Sequence, residues 1–209
     1  MWNTRRRAHA AERGLTLVEL MMVLAIGMLV MGFAIGGVPA MLKTSRADGG
    51  LAELASSLRG ARELSISNRR NVQVTFGANT IAITRVEYCP SSCTVSTYAT
   101  FPGCTSTCTA KTTSMRTITL EGRTGFQLIS GLPDTPDAFG NSTATAVGSL
   151  VPVMFTTDGS FINANGDVIN GSLFIAIPGD PLSARAITIF GATGALHQWK
   201  WNGRAWVEA

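Results

Sequence analysis

Glu19 is the only carboxylate in the apolar stretch that opens near Leu15, and it is the first residue whose chemistry needs explaining. An ionised group inside an apolar run is costly unless a cation or hydrogen-bond donors accompany it, so its presence points to a functional role with a partner. Four cysteines, Cys89, Cys93, Cys104 and Cys108, crowd one Ser/Thr-rich stretch with spacing C-x3-C-x10-C-x3-C. Near the end of the chain Trp199, Trp201 and Trp206 sit beside Lys200 and Arg204, a mixture able to stack on bases and hold phosphates. His197 and His9 are the two histidines, which excludes a metal centre or an acid–base apparatus built on several imidazoles. With no nucleophile–base arrangement to assemble, an enzyme is not expected, and no cofactor or metal is expected either.

The elements that position these residues begin with Leu20–Leu42, 23 residues without a charge. As a helix this run is about 34 Å long, enough to cross a hydrocarbon core of about 30 Å. Arg5, Arg6 and Arg7 precede it, and the positive-inside rule then places the N-terminus in the cytoplasm and the remainder outside. A cleaved secretory signal, with Val38-Pro39-Ala40 as its site, has too short an apolar region to fit.

The charge distribution supports the same division. Four arginines and Glu12 give residues 1–14 a charge of +3, out of a formal +4 for the 209-residue chain, so the body carries only +1. Steering toward nucleic acid is therefore not expected. Hydrophobic residues are 45% and charged residues 14%, which excludes a disordered, solvated chain.

After Lys43 the pattern turns amphipathic: Leu51, Leu54, Leu58, Ala61 and Ser65 recur at helical steps. A helix is expected to about Asn68, with Asp48-Gly49-Gly50 as a weak point. The period then changes from 3.6 to 2. Val72, Val74 and Phe76, then Ile81, Ile83 and Val86, are expected to form a hairpin around Gly77-Ala78-Asn79. Further strands are expected at 115–121, 126–130, 150–157, 172–178, 185–191 and 195–207, with 134–149 as a loose surface loop. The last of these also reads as a hairpin turning at Asn202-Gly203, its three tryptophans alternating across it. One long helix followed by strands is an α+β arrangement.

The stretch Arg13-Gly14-Leu15-Thr16-Leu17-Val18-Glu19-Leu20-Met21 closely resembles the class III signal of type IV pilins and type II secretion pseudopilins. The resemblance implies cutting by a prepilin peptidase between Gly14 and Leu15, N-methylation of the new amine at Leu15, and a role for Glu19 in filament assembly opposite a neighbour's N-terminal amine. Leu15 stands where the family usually has Phe. The family's helix-kinking Pro matches Gly36 here, with Pro39 three residues further on. A second stretch, Leu54 to Ser65 followed by Asn68-Arg69-Arg70-Asn71-Val72, resembles the GspH/FimT/FimU branch, as do Phe155–Ser160 and the strand and turn from Ile187 to Gly194.

The implied organisation is a basic leader (1–14), a long N-terminal helix (15–68) with its transmembrane anchor at 15–42, and an extracytoplasmic antiparallel β-sheet domain (69–209) stapled at 89–108. That is a pilin-like α+β fold. Implied partners are the prepilin peptidase, other major and minor pilins, the inner-membrane assembly platform and the inner membrane itself. The chain would sit there as a single-pass protein with its C-terminal domain in the periplasm before reaching a pilus or the cell surface. The function implied is that of a minor type IV pilin that primes assembly or sits at the tip, supporting twitching motility and adhesion. One alternative is a minor pseudopilin of type II secretion, exporting proteins. Another is a DNA-binding minor pilin for DNA uptake, with Lys200, Arg204 and Trp206 as contacts. Members of that type carry a "GRxR" element, and Gly203-Arg204-Ala205-Trp206 lacks its second arginine.

Cysteines outside the cytoplasm in even number read as disulfides rather than zinc ligands. Nested pairs, Cys89–Cys108 and Cys93–Cys104, would face each other across a hairpin. Local pairs, Cys89–Cys93 and Cys104–Cys108, are the rival. Asp158, Asn163, Asn165 and Asp167 could be drawn as a calcium loop, but they lack EF-hand spacing, and two turns account for them.

Overall fold

The computed structural model describes residues 16–87, 112–120, 123–146, 153–163 and 166–209, with backbone alone at 33–41 and 146. The four cysteines lie outside these residues. The chain divides into two compact units, Met1–Met41 and Leu42–Ala209.

Helix α1 runs from Leu17 to Asn68. Thr16 starts it: its carbonyl accepts from the Leu20 N–H at 3.1 Å and its hydroxyl from the Glu19 N–H at 3.3 Å. The helix ends where the alternation begins, closed by Arg69 N–H to Ile66 O at 3.3 Å and Arg70 N–H to Ser65 O at 3.2 Å. That pair of bonds is a Schellman closure, with Arg69 in the left-handed region at φ 50°.

Asp48-Gly49-Gly50 does not interrupt the helix. A Cβ on Gly50 would stand 3.1 Å from the Thr124 methyl and 3.6 Å from Ile175 Cδ1. The glycine is there for close packing, and the fit gained outweighs its poor helix propensity of about 1 kcal/mol.

Eleven strands follow among the described residues. They are β1 (Val72–Phe76), β2 (Thr80–Val86), β3 (Thr112–Thr119), β4 (Gly125–Phe126), β5 (Thr145–Ala146), β6 (Val153–Phe155), β7 (Phe161–Ile162), β8 (Gly171–Ala176), β9 (Arg185–Phe190), β10 (Ala195–Trp201) and β11 (Trp206–Glu208). All pairings between them are antiparallel. One sheet has the order β3-β2-β1-β6-β7, the other β11-β10-β9-β8-β4, and β5 also pairs β8. The α+β, pilin-like architecture expected from the sequence is the one observed.

Both sheets and the helix share one core. Leu51, Leu54, Ala55, Leu58 and Ala61 meet Val72, Val74, Ile81, Ile83, Val153, Phe155 and Phe161 of the first sheet, and Leu173, Ile175, Ile187 and Ile189 of the second. Alternation along β1 and β2 puts Val74 opposite Ile83 and Phe76 opposite Ile81, as a half-buried hairpin requires. Val86 has the opposite parity to Ile81 and Ile83, so it packs with Met154 and Ile162 in a separate cluster. A bulge in β3 at Met115 shifts the register between Ile83 and Thr84.

Strands β8 and β9 are buried on both faces. Their outward residues Phe174 and Ala186 join Ala184 and Trp206, with Leu128, Ile129 and Leu132 packed over them. This explains why the strand expected over 126–130 is shortened to Gly125–Phe126. The chain beyond leaves the sheet edge to cover its outer face. The described part of the expected loose loop, 134–146, is likewise held down. The Asp134 carboxylate accepts from the Thr135 and Gly140 N–H groups, both at 2.8 Å. Phe139 packs edge-on against Phe190 at 4.9 Å, and β5 pairs with β8.

Candidate functional site

The first turn of α1 is where the sequence concentrates its unusual chemistry. Thr16 and Glu19 have the spacing of a capping box, in which a hydroxyl satisfies the N–H of the third helical residue. The structure contains that hydroxyl-to-N–H bond, which fixes where the helix begins. Glu19 thereby stands in the first turn, at the positive end of the helix dipole, where a carboxylate is favourable. Gly14 and Leu15, the expected cleavage and methylation positions, lie outside the described residues.

Every described large apolar residue of the first unit is exposed, from Leu17 at 74% to Met31 at 70%. Leu20, Met21, Met22, Val23 and Leu24 are consecutive, so they project on all sides rather than as a stripe. A helix apolar all round needs an apolar environment from elsewhere, because it cannot bury itself against one sheet. Among the described residues no helix is long and apolar enough to cross a membrane. Side chains are described only to Gly32 in this part of the helix.

At the other end of the chain, the tryptophan cluster is a structural element. β10 and β11 form the hairpin, with Trp201 opposite Trp206, turning through Asn202 to Ala205. The Asn202 side-chain oxygen accepts from the Arg204 and Ala205 N–H groups, both at 2.9 Å. Trp206 is 7% exposed, its indole N–H donates to the Pro133 carbonyl at 2.8 Å, and its ring lies 5.5 Å from that of Trp201. The ring face needed for base stacking is therefore covered. Lys200 and Arg204 are exposed.

Two polar centres had no legible signal in the sequence. Arg185, buried in β9, donates from Nε to Asp48 Oδ1 on the helix at 2.7 Å, and from Nη1 to the Leu182 and Ala184 carbonyls, both at 2.9 Å. Asp137, in the covering segment, accepts from the Thr188 hydroxyl and from the Trp199 indole at 3.3 Å. His197 Nδ1 lies 3.3 Å from the same carboxylate. These partners are far apart along the chain, and no local pattern pairs them.

Asp158 sits in the turn after β6. Its carboxyl is held down to about 2 by the Thr156 hydroxyl first, then by the Ser160 N–H and hydroxyl. Asn163 and Asp167 bond to each other within the next turn, and Asn165 lies outside the described residues. Among the described residues no group of His, Cys, Asp or Glu could hold a metal ion. These turns fold on their own side chains.

Residues 9–35 match the prokaryotic N-terminal methylation motif, the signature of type IV pilin-like precursors. The match brackets Gly14, Leu15 and Glu19. No curated protein and no solved structure matches the chain.

Proposed function

We propose, from the premise that residues 9–35 carry a pilin-type N-terminal methylation motif, that this chain is a minor type IV pilin of the GspH/FimT/FimU kind. Such motifs mark pilins and pseudopilins, which are structural subunits. On this reading prepilin peptidase cuts between Gly14 and Leu15, and the new Leu15 amine is methylated. The apolar helix holds the subunit in the inner membrane with its β-domain in the periplasm. Assembly then moves that helix into a filament among other pilins, and the subunit primes or tips a pilus used for twitching and adhesion.

The observation that carries this reading is the division of α1. Its first part presents apolar side chains on all sides, while Leu51, Leu54 and Leu58 of its second part are buried in the shared core. A bilayer and a bundle of neighbouring helices are both environments in which the first part is at home. Glu19 then needs a cation, and the Leu15 amine of a neighbouring subunit is the one that the cut creates.

Mass spectrometry of filaments sheared from the cell surface tests the reading. A peptide beginning at methylated Leu15, at low copy beside the main subunit, is the expected result. Cut protein retained in the envelope and missing from surface filaments would instead identify a secretion pseudopilin.

A further inference from the structure

The second unit begins at Leu42, where the apolar stretch ends, and a cluster of exposed side chains surrounds that beginning. Lys43 reaches Asp180 at 3.8 Å. Asp180 caps the 3-10 turn Pro181–Ser183 by accepting from the Leu182 N–H at 3.2 Å. That turn in turn touches the β10–β11 hairpin: a Cβ on Gly203 would stand 3.5 Å from Leu182 Cδ2, and Trp201 N–H donates to the Ala184 carbonyl at 3.1 Å. The hairpin tip, the 3-10 turn and the start of the unit are therefore joined by contact.

What they expose has one chemistry. Leu182 is 54% exposed and Leu42 49%. Arg46, Lys200 and Arg204 are exposed, and their side chains make no ion pair among the described residues. The acids in the cluster are already engaged, Asp180 by Lys43 and Asp48 by Arg185. The result is an apolar rim with free basic groups, the composition that settles at a bilayer interface carrying anionic headgroups.

We propose that this face, Leu42, Arg46, Leu182, Lys200 and Arg204, docks on the anionic lipid surface next to the helix exit and holds the β-domain against the membrane before assembly. Chain continuity brings the lipid to it, since Leu42 is the last residue of the segment read as the anchor. The inference rests on that anchored reading. Lys200 and Arg204, the residues that resemble a nucleic-acid contact, take headgroup phosphates instead.

The test uses the full chain reconstituted into vesicles of phosphatidylcholine with phosphatidylglycerol, and into vesicles of phosphatidylcholine alone. Amide hydrogen exchange is read at 182–183 and 200–206. Exchange at the hairpin tip should slow about ten-fold or more with the anionic lipid, the scale expected of two basic side chains near a charged surface. High salt should remove the slowing. The double variant Lys200→Glu, Arg204→Glu should abolish it, and Leu182→Ser should weaken it with no charge change. Equal exchange in both lipids, by a chain that floats with the vesicles, overturns the docking face but leaves the anchor intact. Slowing that instead grows with protein concentration in detergent assigns the face to a second copy and also overturns it. Failure to float overturns the anchored reading and the docking face together.

Discussion

Arg185 Nε and Asp48 Oδ1 stand 2.7 Å apart, tying the second sheet to the helix at the point where the helix enters the β-domain. The arginine side chain is 3% exposed and the carboxylate 56%, so the pair is asymmetric: a buried cation held by a half-solvated anion and two carbonyls. A buried charge is tolerated only when its donors are matched, and the carbonyls of Leu182 and Ala184 supply the rest.

Replacing Asp48 by Ala should therefore cost about 1–2 kcal/mol, because water can take over part of the released guanidinium face. Arg185→Ala should cost more, about 2–4 kcal/mol, since it opens space in a packed strand and takes a donor from the Leu182 and Ala184 carbonyls, the latter keeping the Trp201 N–H. Thermal unfolding of the full chain in detergent, followed by tryptophan fluorescence, measures both. Equal losses would mean that Arg185 owes its stability to Asp48 alone.

Arg69 occupies the left-handed position of the Schellman closure, where glycine carries no Cβ penalty. Arg69→Gly should stabilise the domain by up to about 1 kcal/mol, and Arg69→Ala should not. An unchanged or lowered midpoint for the glycine variant would show that the exposed arginine side chain contributes a contact of its own.

Gly194 and Gly203 both have positive φ, 62° and 97°, yet their surroundings differ. A Cβ on Gly194 would collide with the Gly159 carbonyl and stand 2.8 Å from Arg62 Nε, which itself donates to Gly159 O at 3.2 Å. On Gly203 it would meet only the Leu182 side chain at 3.5 Å. Gly203→Ala should cost about 1 kcal/mol of backbone strain, and Gly194→Ala well over about 2 kcal/mol. Similar costs for the two would mean that the Arg62–Gly159 corner relaxes freely.

Acid should remove the contribution of Asp158. Its folded carboxyl titrates at about 2, below the ordinary 3.8, so its stabilisation is complete above the unfolded value and is lost as pH falls toward about 2. Glu87 acts in the same direction, held below its ordinary 4.5 by the Arg85 guanidinium and the Thr113 hydroxyl. Asp158→Asn should flatten the stability profile between about pH 4 and pH 2. A variant whose acid profile matched wild type would remove Asp158 from the account.

Glu19→Gln should leave cleavage after Gly14 intact while reducing recovery in sheared filaments by about ten-fold, the scale of one lost charge-assisted contact. Filament recovery equal to wild type would refute the pairing of Glu19 with a neighbour's amine.

The sequence by itself determined what is local. Leu51, Leu54 and Leu58 recur at helical steps, and Val72 with Val74 alternates, because each pattern reports one element's own geometry. The apolar run and its lone carboxylate were equally legible, being a matter of composition along a short stretch. Tertiary structure decided the rest. Asp48-Gly49-Gly50 reads as a weak point in the sequence, but Thr124 and Ile175 pack closely on Gly50 and the helix runs through it. Residues 134–146 read as loose because Asp137's partners, Thr188, Trp199 and His197, lie over fifty residues away in sequence. The physical reason is the same in both cases. A glycine or a carboxylate carries its local preference in the sequence, but the neighbour that overrides it is chosen only when the chain folds back on itself.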